Sequence, residues 1–153
     1  MAIRAGDVAP DFTLPQQDGS SFHLAEALAK GAVVLYFYPK DDTPGCTAEA
    51  CTFRDAYEDF KDAGAAVVGI SSDSADAHRA FADKHRLPFT LVSDAGGKVR
   101  KLYGVPSTLW VLPGRVTYVI GKAGVVLHVF DSQMNPTKHV TEAIEVLKKN
   151  KLA

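Results

Sequence analysis

Two cysteines, Cys46 and Cys51, are the most oxidisable nucleophiles of this chain, and both fall in Thr43-Pro-Gly-Cys-Thr-Ala-Glu-Ala-Cys51. Thr43 reads as an N-cap and Pro44 as the first residue of a helix. Cys46 then sits in the first turn, where unpaired N–H groups and the positive end of the helix dipole favour an anion. That setting favours the thiolate, the nucleophilic form of cysteine. Thr43 and Cys46 also have the spacing of a capping box, with sulfur where a glutamate usually sits. The Thr43 hydroxyl is therefore expected close to the Cys46 backbone and sulfur. Free cysteines also serve as small core residues. The polar helix mouth argues against that for Cys46. Cys51 falls nearer the apolar stripe of the helix, and the core alternative is stronger there.

The elements that must hold these residues can be read around them. Ala32 to Tyr38 is an unbroken apolar run rich in β-branched and aromatic types, a strand buried on both faces. Pro39 ends it, since proline cannot donate to a sheet ladder, and Lys40-Asp-Asp42 makes a polar loop. Ala50, Phe53, Tyr57 and Phe60 carry the helical spacing onward from Cys46. Ala65 to Ser71 is a second apolar strand after Gly64, so strand, helix and strand form a right-handed parallel crossover. Ser72-Asp-Ser-Ala caps a helix running to about His85, with Ala77, Ala80 and Phe81 facing inward. Leu87 to Val92 is a short strand, and Lys98 to Tyr103 a short helix stopped by Gly104. Arg115 to Ile120 and Val125 to Phe130 form a hairpin. A last helix opens at Asn135-Pro-Thr137 and buries Val140, Ile144 and Leu147. Near the N-terminus, Asp18-Gly19 turns a small hairpin, followed by a short helix over Leu24 to Ala29. Val105 to Leu112, with Trp110, carries no assignable pattern. Two β-α units, then a hairpin and a terminal helix, indicate an α/β thioredoxin-like fold: a mixed central β-sheet flanked by helices. Active sites on such sheets lie where strand C-termini meet helix N-termini, which is where Cys46 falls.

Length and composition narrow the function classes. A chain of 153 residues reads as one domain, 1–153, large enough to bury its own core. The net charge of −1 gives no electrostatic reason for a nucleic-acid or membrane partner. Two cysteines are too few for a disulfide scaffold, so they point to redox chemistry. The N-terminus shows no secretory leader pattern, and the apolar runs are too short to span a bilayer. His23, His78, His85, His128 and His139 are scattered without metal-ligand spacing, so no metal is expected. No phosphate-binding glycine loop is present, so no nucleotide cofactor is expected either. Cys46-x₄-Cys51 is not Cys-x-x-Cys, which argues against an ordinary disulfide reductase or isomerase.

Pro39-x-x-x-Thr43-x-x-Cys46 resembles the active-site signature of the peroxiredoxins. Cys51, five residues on, resembles the resolving cysteine of the Q-type (bacterioferritin-comigratory-protein-like) subgroup, and the likeness runs from about Gly6 to Leu147. The resemblance implies a thiol peroxidase with an N-terminal hairpin added to the thioredoxin-like fold. It implies that Cys46 attacks a hydroperoxide and becomes a sulfenic acid, that Cys51 traps it as a disulfide, and that thioredoxin or a similar dithiol restores both thiols. Pro39 would shield the sulfur from water. Pro113-Gly-Arg-Val-Thr117 is similar to the segment whose arginine reaches the peroxidatic sulfur, which gives Arg115 that role. A guanidinium stays protonated and can donate to both the thiolate and the peroxide oxygens. Without the resemblance, Arg115 fits a solvated edge-strand position as well. Glu49 is similar to a recurring acid of the Q-type motif, and is equally at home as a first-turn acid facing the helix dipole. Gly121 departs from the family, where aspartate is common, and touches only a turn. No cofactor is implied. Cys51 is the last cysteine, so no C-terminal thiol from a second subunit is needed and a monomer is expected. The expected compartment is the cytoplasm, or a plastid if a transit peptide has been removed. The alternative reading is a redox-gated binding protein that uses the same disulfide to reshape a surface.

The cysteine spacing sets a geometric condition. On an intact helix, five residues advance about 7.5 Å and turn about 140°, leaving the two Cα atoms about 8.6 Å apart. A disulfide needs about 4.4–6.8 Å. The helix is therefore expected to unwind from Cys46 to about Cys51 before the bond closes.

Overall fold

The computed structural model describes residues 2–105, 107–108, 112–113, 115–132 and 135–152. Strand β1 (Thr13–Pro15) pairs antiparallel with β2 (Ser21–His23) as the N-terminal hairpin, and helix α1 (Leu24–Lys30) follows. The central sheet is built from β3 (Ala32–Phe37), β4 (Ala65–Ser71), β5 (Thr90–Ser93), β8 (Val116–Ile120) and β9 (Val126–Asp131), in the order β5-β4-β3-β8-β9. β3, β4 and β5 run parallel, while β8 pairs antiparallel with both β3 and β9. This is the mixed sheet that the sequence pattern indicates.

Helices α2 (Pro44–Asp55) and α3 (Tyr57–Asp62) make the first crossover and α4 (Ala75–His85) the second; α5 (Lys98–Tyr103) and α6 (Lys138–Leu152) complete the layers. A short ladder joins β6 (Ser107–Thr108) to β7 (Leu112–Pro113). Trp110 and Gly114 lie outside the described residues.

Strand β3 shows why the core has two halves. Its side chains alternate between faces. Val33, Leu35 and Phe37 pack with Phe12, Leu28 and Tyr103 on one face. Val34 and Tyr36 pack with Phe53, Phe60 and Phe81 on the other, the face that also buries Cys46. At the foot of β3, Gly31 is required by close approach: a Cβ there would stand 2.4 Å from the Gly64 carbonyl oxygen.

Two expectations change. The helix of Cys46 does not run unbroken to Phe60 but kinks at Ala56 (φ −95°, ψ 8°). The kink keeps both Phe53 and Phe60 in the core, with ring centroids 5.5 Å apart. Helix α4 turns His78, Phe81 and Ala82 inward, not Ala77 and Ala80. The inner stripe is one of i, i+3 and i+4 as usual, but it begins on a histidine, which a polar count leaves out.

Candidate active site

Cys46 lies in the first turn of α2, immediately beyond the C-terminal end of β3, and is buried. Arg115 immediately precedes β8, the antiparallel neighbour of β3, so the sheet delivers its guanidinium to the same helix mouth. Arg115 is itself buried. Its Nη2 donates to Cys46 Sγ at 3.5 Å, and its Nη1 to Glu49 Oε1 at 2.5 Å. One planar fork thus spans two residues a single turn apart on α2. Gly45 leaves room for it, since a Cβ at that position would lie 3.1 Å from Nη2. Arg115 is therefore no solvated edge residue.

Magnitudes rank the two stabilisers of a thiolate. A helix terminus contributes about 0.3–1 kcal/mol at an exposed site and up to about 2 kcal/mol in a partly buried one. A unit charge at this range contributes about 4 kcal/mol at an effective dielectric of about 20. Arg115 is the larger influence on the sulfur.

Glu49 is fully buried. Its Oε1 accepts from Arg115, whereas its Oε2 has no hydrogen-bond partner and stands 3.7 Å from His139 Nδ1. His139, on α6, is neutral. Its Nε2 donates to the Ser132 carbonyl at 2.7 Å, so Nδ1 carries a lone pair and accepts from the Thr117 hydroxyl at 2.8 Å. Burial, reinforced by the charge of Arg115 and opposed by the Ser132 bond, holds His139 down to about 4. Burial pushes Glu49 up to about 8, against the opposing pull of Arg115. Burial acts to lower Arg115, but its interactions with Glu49 and Cys46, hydrogen bonds included, shift it upward. At neutral pH Glu49 is held protonated. One buried cation faces two acids, and ionising both would leave a net negative charge out of water. The neutral imidazole on the other side offers no compensation.

Thr43 is the N-cap, but not through a capping box. Its hydroxyl donates to the Lys40 carbonyl at 2.9 Å instead of accepting from the Cys46 amide. The chain reverses at Asp42, with φ 61°, and brings that carbonyl within reach. With its hydrogen committed, the Thr43 oxygen presents lone pairs to any further donor. Pro39 is half-buried just past the end of β3. Cys51 lies on the same helix as Cys46, partly exposed, and both thiols are free.

The structure therefore brings Cys46, Glu49 and Arg115 into direct contact, with Thr43 at the cap of their helix. It adds His139 and Thr117, which the sequence reading passed over. Thr117 had a signal, because strand alternation puts it on the same face as Arg115. His139 had none, since its partners come from β8 and the segment after β9. His78 was also passed over. Asp41, Asp73 and His78 bring ligand-type atoms within 4.8 Å of one another. Those atoms are already engaged, however: Asp41 with Tyr38 and His78, and Asp73 with Ser71 and the Asp41 amide. The group is a hydrogen-bond network.

A mixed sheet of this order, with a helix-mouth cysteine against a buried arginine, defines a thiol-based oxidoreductase of thioredoxin-like fold. Residues 5–129 match the AhpC/TSA family. The chain is 55% identical over 146 residues to the chloroplastic peroxiredoxin Q of Triticum aestivum, covering 95% of this chain and 67% of that one. It is 54% identical over 147 residues to the chloroplastic peroxiredoxin Q of Arabidopsis thaliana, covering 95% and 68%. Among solved structures, the peroxidoxin BcpB of Mycobacterium tuberculosis superposes with a TM-score of 0.90 at 39% identity, over 96% of this chain and 97% of that one. Xanthomonas campestris peroxiredoxin Q superposes with a TM-score of 0.84 at 30% identity, over 92% and 91%. The chain belongs to the AhpC/TSA family and, within it, to the Q-type peroxiredoxins. It is a peroxidase, an oxidoreductase acting on peroxide.

Proposed function

We propose that Cys46 is the peroxidatic nucleophile, Cys51 the resolving thiol, and thioredoxin or a similar dithiol the reductant. The observation that carries this reading is the guanidinium of Arg115, buried and donating to Cys46 Sγ at 3.5 Å. The thiolate attacks the terminal oxygen of a hydroperoxide. An S–O bond forms, the O–O bond breaks, and the leaving hydroxide or alkoxide takes up a proton. Arg115 and the first-turn N–H groups of α2 stabilise the charge moving onto that oxygen. The Thr43 oxygen accepts the peroxide hydrogen, and Pro39 limits water at the sulfur. Cys46 is left as a sulfenic acid. Cys51 attacks it, forming the disulfide and releasing water. A dithiol then reduces the disulfide by two exchanges and is itself oxidised.

Organic hydroperoxides fall within this substrate class. One similar structure, the bacterioferritin comigratory protein of Xanthomonas campestris, is known for alkyl peroxide reduction. We read residues 1–153 as one domain acting as a monomer, since both cysteines of the cycle lie in one chain. The chloroplastic names of the plant relatives support the plastid alternative rather than the cytoplasmic expectation. Peroxide turnover with thioredoxin tests the roles. Cys46→Ser is expected to lose all turnover. Cys51→Ser is expected to keep one round of peroxide reduction and lose recycling. Equal loss of the first round in both variants would reverse this assignment.

A further inference from the structure

A second buried polar cluster lies on the other side of the loop that leads into α2. His78, on α4, is fully buried. Its Nε2 donates to the Val92 carbonyl at 2.9 Å, and its Nδ1 meets Asp41 Oδ2 at 2.6 Å. Asp41 is buried as well, and its Oδ1 accepts from the Tyr38 hydroxyl at 2.5 Å. The Asp41 amide donates to Asp73 Oδ2 at 2.8 Å, and Arg100 Nη2 donates to the Tyr38 carbonyl at 3.2 Å. The five residues from Tyr38 to Asp42 are thus tied to α4, to α5 and to the turn after β4, and His78 is itself held at the end of β5. Asp42 adds an exposed tie, to Lys84 at 3.0 Å.

These five residues lead directly into Thr43. The Lys40 carbonyl orients the Thr43 hydroxyl at 2.9 Å, and the Thr43 carbonyl accepts the first hydrogen bond of α2, from the Thr47 amide at 2.8 Å. Where Asp41 is held therefore fixes where the Thr43 oxygen and the first-turn N–H groups point. With Nε2 donating to Val92, the 2.6 Å contact between Nδ1 and Asp41 Oδ2 holds one proton between the two groups, and such a pair is costly to bury unless every hydrogen bond is made.

We propose that His78 is a positioning residue for the peroxidatic step: through Asp41 it clasps the loop and sets the geometry of Thr43 and the first turn around Cys46. It touches neither the sulfur nor the peroxide. The inference rests on Cys46 being the nucleophile.

Asparagine and glutamine at position 78 separate positioning from general stability. An asparagine amide reaches the place of Nδ1 and keeps the Asp41 contact. A glutamine amide reaches the place of Nε2 and keeps the Val92 contact. Each variant loses one hydrogen bond of the same ring, with the larger loss in Tm expected for His78→Gln, which leaves an Asp41 oxygen without its partner, so the two rates are compared at a temperature where both variants are fully folded. The rate of the first turnover is read as free-thiol loss in quenched flow with one equivalent of hydrogen peroxide. His78→Gln is expected to slow it about 10–100-fold, the scale of a small misplacement of reacting groups. His78→Asn is expected to recover most of the rate. Asp41→Ala covers the case in which His78→Gln does not fold. It removes the carboxylate, and the Tyr38 hydroxyl, 3.4 Å from His78 Nδ1, can take its place. Asp41→Ala is expected to slow the step as His78→Gln does. A wild-type rate in His78→Gln, equal rates in the two position-78 variants, or a wild-type rate in Asp41→Ala would overturn the proposal. A wild-type protein that loses no thiol, matching Cys46→Ser, would overturn the peroxidatic reading beneath it as well.

Discussion

The two buried polar clusters flanking the first turn of α2 are built on opposite terms. In the Tyr38–Asp41–His78 cluster both carboxylate oxygens of Asp41 and both ring nitrogens of His78 have partners within 2.9 Å. In the Cys46–Glu49–Arg115 cluster one carboxyl oxygen has no partner, and one cation serves two acids. Full satisfaction fixes geometry, because any displacement leaves a buried polar group without its bond. Incomplete satisfaction leaves charge free to respond to a new one. The first arrangement suits a clamp. The second suits a site where negative charge moves from sulfur to oxygen and back. Their separation across a five-residue loop explains how a helix can be held at its start and still open further on.

The comparison is broken most severely by removing the shared cation. Arg115→Met is expected to slow the first turnover by about 10²–10³, the cost of losing one oriented donor to a developing oxyanion. The check is the second-order rate constant with hydrogen peroxide. A rate within twofold of wild type would mean that Arg115 serves only Glu49. Next in size is the pH dependence of the responsive cluster. Glu49 is raised from 4.5 to about 8, so the folded state binds more protons than the unfolded state between those values, and stability falls as pH rises through them. His139 is lowered from 6.5 to about 4, so its contribution is present above 6.5 and is lost as pH falls toward 4. Where the windows overlap, from 4.5 to 6.5, the slopes oppose each other. Denaturant titrations should show a plateau there and a decline from 6.5 to 8. Each pH unit on such a slope is worth about 1.4 kcal/mol. In Glu49→Gln the decline above 6.5 should vanish, and its persistence would assign it to another group. Glu49→Gln should likewise hold its peroxide rate above pH 8, where ionised Glu49 in the wild type draws Arg115 from the sulfur. The smallest expected effect is that of Gly45→Ala. Its new Cβ would press on Arg115 Nη2 from 3.1 Å, and a loss of up to about tenfold in rate is expected from a slight displacement of the guanidinium. No loss would show that the guanidinium can slide without consequence.

The responsive cluster was more legible in the sequence than the holding one. Cys46 announced itself by helix-mouth placement, Arg115 by its segment, and the sheet by apolar runs that need no partners to be recognised. Glu49 stood one turn after Cys46, yet nothing local said that it would be buried and not exposed. The fold decided that, when Phe53 and Ala50 drew that face of α2 into the core. His78 and His139 were unreadable for a related reason. A histidine on an apolar stripe counts as a polar interruption until its partners are known. Those partners lie 37 residues away at Asp41 and 22 away at Thr117. The capping box failed through a similar nonlocal cause, the reversal at Asp42 that offered Thr43 a carbonyl.

The same contrast governs the disulfide. Cys46 and Cys51 both lie within the continuous helix α2, a geometry that keeps them too far apart to bond. Resolution therefore requires the first turns to open, while the strands and the Asp41 clasp stay in place. Opening a helix end costs far less than unfolding the domain. Amide hydrogen exchange on the fully reduced and peroxide-oxidised protein tests this most directly. Amides from Glu49 to Tyr57 should lose protection on oxidation, while those from Val67 to Ile70, at the centre of β4, keep theirs. An oxidised protein with the Cys46–Cys51 bond closed and α2 as protected as before would contradict the account.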